Sequence, residues 1–363
     1  MKTKVLVTGG TGYIASWVIK YLLEQGHQVH TTVRDLKNEE KTRHLLKMDE
    51  ENTGDLKLFE ADLLEEGSFR DAMEGVEYVF HMASPFQVYG IKNPKKQLID
   101  PALQGTRNVL TTANKSEKVK RVVLTSSVAA VYGDNSDINR TPDGIFTEEH
   151  WNTTSNEKHQ PYNYSKTLAE REAWKIQEGQ NQWDLTTINP GFVMGPSLST
   201  RTDSTSISFM RSLLNGDFKQ GVPGLYFGVV DVRDVAHAHI QAAFRPEAKG
   251  RHILVSESLP IIEMAAFIRE KFPDYPLPSK SLPKWMLFLM GPFMGFSWKF
   301  TRNNIGIPLK FDNSFSKENL GIKYRPVGDS LKDHAEQIIR DGLIDMKKSQ
   351  AWFVTFLYDA ILF

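Results

Sequence analysis

Tyr162 and Lys166 stand four residues apart in the segment Pro161-Tyr162-Asn163-Tyr164-Ser165-Lys166, which reads as the start of a helix. Residues at i and i+4 lie on one helical face, so the phenol and the ammonium can point into one site. A lysine charge beside a tyrosine hydroxyl favours the phenolate and makes that phenol a usable proton donor and acceptor near neutral pH. The spacing alone is common. It gains weight from a glycine-rich turn near the N-terminus and from Thr125-Ser126-Ser127 at the end of an apolar strand. Tyr164 is a rival for Tyr162, but it lies two residues on, about 200° around a helix, and does not fit the spacing.

Placing these groups requires a scaffold, and the first half of the chain spells one out. Lys4 to Thr8, Gln28 to Val33, Leu56 to Glu60, Tyr78 to His81, Arg121 to Thr125 and Leu185 to Asn189 read as buried strands. Helical patterns fall between them at about 12–25, 38–47, 65–74, 94–114 and 161–179. The alternation predicts an α/β fold, a doubly wound parallel sheet of the Rossmann type, with ligands at the carboxyl ends of the strands. Residues 1–195, completed by about 228–255 with a helical period from Asp231 to Phe244, are expected to form the nucleotide-binding domain. Residues 196–227 and 256–325 are expected to form a smaller C-terminal substrate-binding lobe, followed by a helix and apolar tail over 326–363.

The turn Thr8-Gly9-Gly10-Thr11-Gly12-Tyr13-Ile14-Ala15 follows a strand and opens a helix. Gly9 permits the tight turn, and Gly12 lets backbone approach a pyrophosphate resting on the helix N-terminus. Ala15 fills the third position, where a methyl group is tolerated. At the end of the second strand the carboxylate that would hold an NAD ribose is replaced by Val33, and Arg34 follows. Arg34 can fork onto a 2′-phosphate, with Lys41 or Arg43 as a second cation, which points to NADP(H). Asp35 is then expected to pair with Arg34 or to cap the next helix. Asp62-Leu63, past the third strand, is placed for the adenine; a helix N-cap is the other reading of Asp62.

Composition narrows the rest. The 363 residues carry 44 basic and 44 acidic side chains, so no bulk attraction to nucleic acid or to anionic lipid is implied. There is no cysteine, which excludes thiolate metal sites and cysteine nucleophiles and is compatible with a reducing cytoplasm. His237 and His239 are two apart on a helical segment and make a poor metal pair, and no metal is expected. Asp231 and Asp234 flank a helix start, where capping explains at least one. A strand starting by Thr3 leaves no room for a signal peptide, so cytoplasmic placement is expected. Two apolar stretches stand out, Trp285 to Phe300 and Ala351 to Phe363. The first is expected to line a substrate pocket and the second to pack on the body or a neighbouring subunit. Peripheral membrane contact is the alternative, since neither reaches the roughly 20 unbroken apolar residues of a spanning helix.

These segments together resemble the extended short-chain dehydrogenase/reductase family. The likeness is greatest to the branch with dihydroflavonol reductase, cinnamoyl-CoA reductase and the NADPH-dependent aldehyde reductases. TGGTGYIASW (8–17), TTVRD (31–35), VFHMASPF (79–86), RVVLTSSVAAVYG (121–133), YNYSKTLAE (162–170), NPGFVMGP (189–196) and DVRDVAHAH (231–239) carry it. The resemblance implies that Ser127, Tyr162 and Lys166 form the catalytic set. Tyr162 and Lys166 would also touch the cofactor, Lys166 at its ribose hydroxyls. Ala83 and Ser84, in the Ala-Ser-Pro-Phe turn, would lie along it, and Pro190, Gly191, Phe192 and Val193 would line its nicotinamide. Phe86 and Tyr132 would face substrate. Tyr132 stands where dihydroflavonol reductases carry an asparagine that helps recognise the flavonoid, which directs expectation to a simpler aldehyde or ketone. The expected reaction is hydride transfer from NADPH to a small-molecule carbonyl, in a monomer or homodimer. Steroid oxidation and sugar-nucleotide epimerisation use the same three residues, and an NADP-binding protein without catalysis is the reading from outside enzymology.

Overall fold

The computed structural model describes residues 2–84, 93–294 and 296–345. Six apolar runs form the strands β1 (Lys4–Val7), β2 (Gln28–Val33), β3 (Asp55–Glu60), β4 (Tyr78–His81), β5 (Arg121–Thr125) and β6 (Asp184–Pro190). They are followed by β7 (Phe192–Met194), β8 (Val222–Pro223), β9 (Tyr226–Asp231), β10 (Gly250–Leu254), β11 (Glu257–Pro260) and β12 (Ser281–Leu282). Among the described residues, seven strands make one sheet in the order β10-β6-β5-β4-β1-β2-β3, every pair parallel. The order reverses between β1 and β4. In doubly wound sheets that switch point opens the crevice in which ligands bind.

The helices are α1 (Tyr13–Glu24), α2 (Glu39–Glu51), α3 (Asp100–Asn114), α4 (Pro161–Glu178), α5 (Thr205–Asn215) and α6 (Val232–Phe244). The rest are α7 (Ile261–Lys271), α8 (Lys284–Met290), α9 (Trp298–Asn304), α10 (Ser314–Asn319) and α11 (Val327–Arg340). Strand residues alternate between two cores, as the period of two requires. Val5, Val7 and Val123 pack with Ile19 and Leu22 of α1 and Val235 and Ala242 of α6. Leu6, Val122 and Leu124 pack on the other face with Val109 of α3 and Ala173 of α4. Both faces of the sheet are therefore covered, which is why its strands read as unbroken apolar runs.

A third core joins α5, α7 and α11 through Met210, Leu213, Met264, Ile268 and Leu331, next to the small sheet β11-β9-β7. A fourth, with Tyr132, Phe146, Ile253 and Leu309, fills the seam towards the carboxyl ends of the strands.

Two expectations need correction. The helix expected at 65–74 is a turn followed by a single 3₁₀ turn, Asp71–Met73. Gly67 and Gly75 bracket it with φ of 81° and 73°, leaving too few residues to propagate a helix. The stretch 285–300 does not line a pocket as a whole: Phe300 is buried beside Tyr132, but Trp285, Leu289, Met290 and Trp298 are exposed. Phe86 and the tail Ala351–Phe363 lie outside the described residues.

Candidate active site

The switch point gathers the glycine turn, the strand-end residues of β4 and the N-terminal half of α4. Gly9 takes φ +70°, open to glycine at no cost, and a Cβ there would sit 3.0 Å from the Ala83 backbone. Thr8, fully buried after β1, accepts at Oγ1 from the amides of Met82 (3.0 Å) and Ala83 (2.9 Å), tying the two strand ends together. Thr32 Oγ1 accepts from Gly9 N at 3.1 Å. Gly12 caps α1 without any side chain, so the first-turn amides at Tyr13 and Ile14 are left for an anionic ligand. The Tyr13 hydroxyl itself turns away and donates to the Gly195 carbonyl. Burial, with Asp231 adding to it, holds its pKa well above the usual tyrosine value.

Beyond the turn, Arg34 follows the last residue of β2 and is exposed, with no ion pair among the described residues. Asp35 neither pairs with Arg34 nor caps α2; it accepts from Lys37 N at 2.9 Å, and Asn38 is the cap, accepting from Lys41 N at 3.2 Å. Lys41 is exposed on the first turn of α2. Asp62 is exposed and closes a turn by accepting from Leu64 N at 2.8 Å, so it caps no helix. Leu63 is pinned against Gly105 of α3, and its carbonyl accepts from Asn108 Nδ2 at 2.7 Å. Arg201 joins the site from outside the sequence motifs. Its guanidinium donates to the Thr11 carbonyl and pairs with Asp203 (2.6 Å), so a loop distant in sequence reaches the glycine turn. Nothing in its local pattern marks it.

Lys166 sits behind Tyr162, its Nζ 5.8 Å from the centre of the phenol ring and 3.2 Å from Ser84 Oγ, to which it donates. It shares a small cavity with His81, Ala83, Ser84, Ser126 and Glu170. Burial lowers the Lys166 pKa to about 8, against the opposing pull of Glu170. Burial, reinforced by the Lys166 charge, takes His81 down to about 3 and keeps it neutral. Tyr162 is 8% exposed, and burial raises its pKa above the ordinary tyrosine value. The expectation of a phenol lowered by its lysine is thus corrected: at this separation desolvation outweighs the ammonium.

The two serines divide. Ser126 is buried and its hydroxyl donates to the Glu170 carboxylate. Ser127 is half-buried, opens a short 3₁₀ turn and accepts at Oγ from Ala129 N at 3.1 Å. That leaves its own hydroxyl proton for a further bond.

The start of α4, where Tyr162 is the second residue, is held in place from outside the helix. Gln160 takes φ 55°, the one non-glycine residue with positive φ among those described. Such a conformation persists only where its surroundings over-determine it. Gln160 Nε2 donates to Gly133 O (2.7 Å) and Asp134 Oδ1 (3.0 Å), and Asn163 Nδ2 also reaches Gly133 O (3.2 Å). Burial works against the Asp134 carboxylate, yet donors from His159, Asn303, Asn304 and Gln160 hold it at about 2. Pro161 at the first helical position adds a preset φ.

Pro190 ends β6, and Gly191 N donates to Leu254 O at 3.0 Å. A Cβ on Gly191 would lie 2.1 Å from the Gly228 carbonyl, so that crossing needs glycine. Phe192 packs its ring against Phe209 and Phe227, and Val193 is buried. Tyr132 stacks on Phe146 at 4.9 Å and lines a second small cavity with Gln160, Phe227 and Phe300, apart from Lys166. His239 is buried between Thr125 Oγ1 and Val235 O, and among the described residues no cluster suits a metal ion. Asp231 caps α6, accepting from Arg233 N at 2.7 Å, while Asp234 accepts from Arg325 N at 2.7 Å.

A glycine turn at the β1–β4 switch point, with an uncapped helix N-terminus behind it, defines a dinucleotide-binding α/β protein. The family model for the NAD dependent epimerase/dehydratase family matches residues 5–256, and the chain belongs to that family. A cinnamoyl-CoA reductase of Medicago truncatula is 40% identical over 337 residues, covering 92% of this chain and 95% of the relative. An anthocyanidin reductase of Vitis vinifera is 37% identical over 317 residues, 82% of this chain and 91% of that one. The structure of yeast methylglyoxal/isovaleraldehyde reductase Gre2 complexed with NADPH superposes with a TM-score of 0.76. It is 27% identical and covers 93% of this chain and 98% of that one.

Proposed function

We propose that the protein is an NADPH-dependent reductase that converts the carbonyl group of an aldehyde or ketone into an alcohol. The observation that carries this reading is the meeting of Tyr162, Lys166 and Ala83-Ser84 beside the glycine turn. NADPH, when bound, supplies the hydride. Tyr162 Oη donates its proton to the carbonyl oxygen as the carbon is reduced, and the phenol regains a proton from solvent. A raised phenol pKa suits this direction, because the proton stays on until the oxygen needs it. Ser127 spends its free hydroxyl proton on the same oxygen as negative charge develops. Lys166 holds positive charge behind Tyr162 and favours the phenolate left after transfer. Residues 196–227 and 256–325 form the lobe that closes over the substrate. The reductases among its relatives support this assignment over steroid oxidation or epimerisation.

The test is oxidation of NADPH and of NADH by the purified protein against aliphatic aldehydes, aromatic aldehydes, diketones and dihydroflavonols. NADPH consumption with at least one class is the expected outcome. Silence across the panel, or NAD retained through purification, overturns the reading.

Cofactor choice rests on Arg34, exposed at the end of β2 where a carboxylate would repel a 2′-phosphate. Arg34→Ala should raise the KM for NADPH by about ten- to a hundredfold, the loss of one or two charge-assisted bonds. The KM for NADH should barely move. Equal effects on both cofactors would place the arginine away from the phosphate.

A further inference from the structure

Helix α8 leaves most of its apolar surface outside the core. Only Leu287 of its seven residues is buried, while Trp285, Leu289 and Met290 are 66%, 67% and 50% exposed. Trp285 and Leu289 stand at i and i+4 and share a helix face. Trp298, opening α9, is 67% exposed, and its indole donates to the Phe288 carbonyl at 3.1 Å, which sets it beside α8. Single exposed apolar side chains are ordinary. Four large ones gathered on two adjacent short helices mark a contact surface.

The charge in this region is one-sided. Between Asp274 and Asp312 the chain carries Lys280, Lys284, Lys299, Arg302 and Lys310 and no acidic residue, although the chain as a whole is balanced. All five are exposed, and none forms an ion pair among the described residues. Lys284 Nζ donates instead to the carbonyls of Arg302 (3.2 Å) and Ile305 (2.7 Å).

We propose that this face docks the protein on an anionic lipid surface, with Trp285, Leu289, Met290 and Trp298 entering the headgroup region beside the cations Lys284, Lys299 and Arg302 of the same two helices. Tryptophan favours the boundary between headgroups and acyl chains, where an apolar ring and a polar N–H are both satisfied. Unpaired lysine and arginine beside it are drawn to anionic headgroups, and together the two give reversible adsorption. A second copy of the chain is a poorer occupant, because a two-fold contact through α8 and α9 would bring Lys284, Lys299 and Arg302 close to their own copies. No helix among the described residues is long and apolar enough to cross a membrane, so the contact is peripheral. This surface does not depend on the carbonyl-reduction reading.

Sedimentation of the full-length protein with vesicles decides the matter. With about a third of the lipid as phosphatidylserine the protein should pellet at low salt, and with phosphatidylcholine alone it should not. Raising salt to about 0.5 M should release it. The double variant Trp285→Ser/Leu289→Ser, checked for an unchanged melting temperature, should bind at least about tenfold more weakly. Because both side chains are mostly exposed, the variant should fold. Wild-type protein that stays in the supernatant overturns the proposal, as does a double variant that pellets like wild type. A dimer that the double variant abolishes, without vesicle binding, also overturns it and assigns the face to a second copy.

Discussion

Tyr162→Phe will lower turnover of any carbonyl substrate by about 10²- to 10⁴-fold, the usual worth of a positioned proton donor. Affinity for NADPH should stay within about twofold. The asymmetry follows from the geometry. The phenol ring is buried at the start of α4, so exchanging it for phenyl preserves the packing and removes one oxygen. The glycine turn, the Ala83 contact and Lys166 are untouched, and these are the groups argued to hold the cofactor. Steady-state rates and a fluorescence titration with NADPH separate the two effects. Tyr164→Phe is the control and should behave like wild type, because Tyr164 lies about 200° around the helix from Tyr162. Turnover that falls by less than about tenfold in Tyr162→Phe would remove the phenol from the proton-donating role.

Much of the fold is legible in the sequence because burial on both sides of a parallel sheet writes unbroken apolar runs. The expected and observed strands agree to within a residue at each end over β1 to β6. The glycine turn is equally legible, since its chemistry is local. Failures concentrate where tertiary contact decides. Phe69, Ala72, Met73 and Val76 carry helical spacing, yet all are buried around a turn held between two left-handed glycines. The Trp285–Phe300 stretch is apolar enough to suggest a pocket, but composition does not say which side faces out. Arg201 meets Thr11 across 190 residues, a contact no periodicity records. Asp35 has the side chain of an ion-pair partner or a helix cap, but a two-residue turn to Lys37 N satisfies it first. Glu170 is different. It stands at i+8 from Tyr162 and i+4 from Lys166, so the helical face that points to the pair also points to this carboxylate.

Glu170→Gln should therefore do two things, one to stability and one to the pH profile. The carboxylate is fully buried and accepts from Ser126, Arg251 Nε (2.6 Å), Asn189 Nδ2 (2.7 Å) and Thr187 Oγ1 (3.3 Å). Arg251, 8% exposed and 3.8 Å over the Trp151 ring, would be left as a buried cation without its partner. Breaking such a pair costs about 3–5 kcal/mol, readable as a lower urea midpoint. The second effect reaches the chemistry. Lys166 carries charge below about 8 and loses it above, so reduction that needs this charge should fall as pH rises through that value. Of the groups around Lys166, His81 is neutral and Tyr162 holds its proton, leaving Glu170 as the charge that opposes burial. Removing it should move the alkaline limb of kcat to lower pH, measured per folded enzyme counted by NADPH titration. Lys166→Arg should abolish the limb, because a guanidinium keeps its charge throughout. An unshifted limb in Glu170→Gln would confine Glu170 to holding Ser126, Asn189 and Arg251 in place.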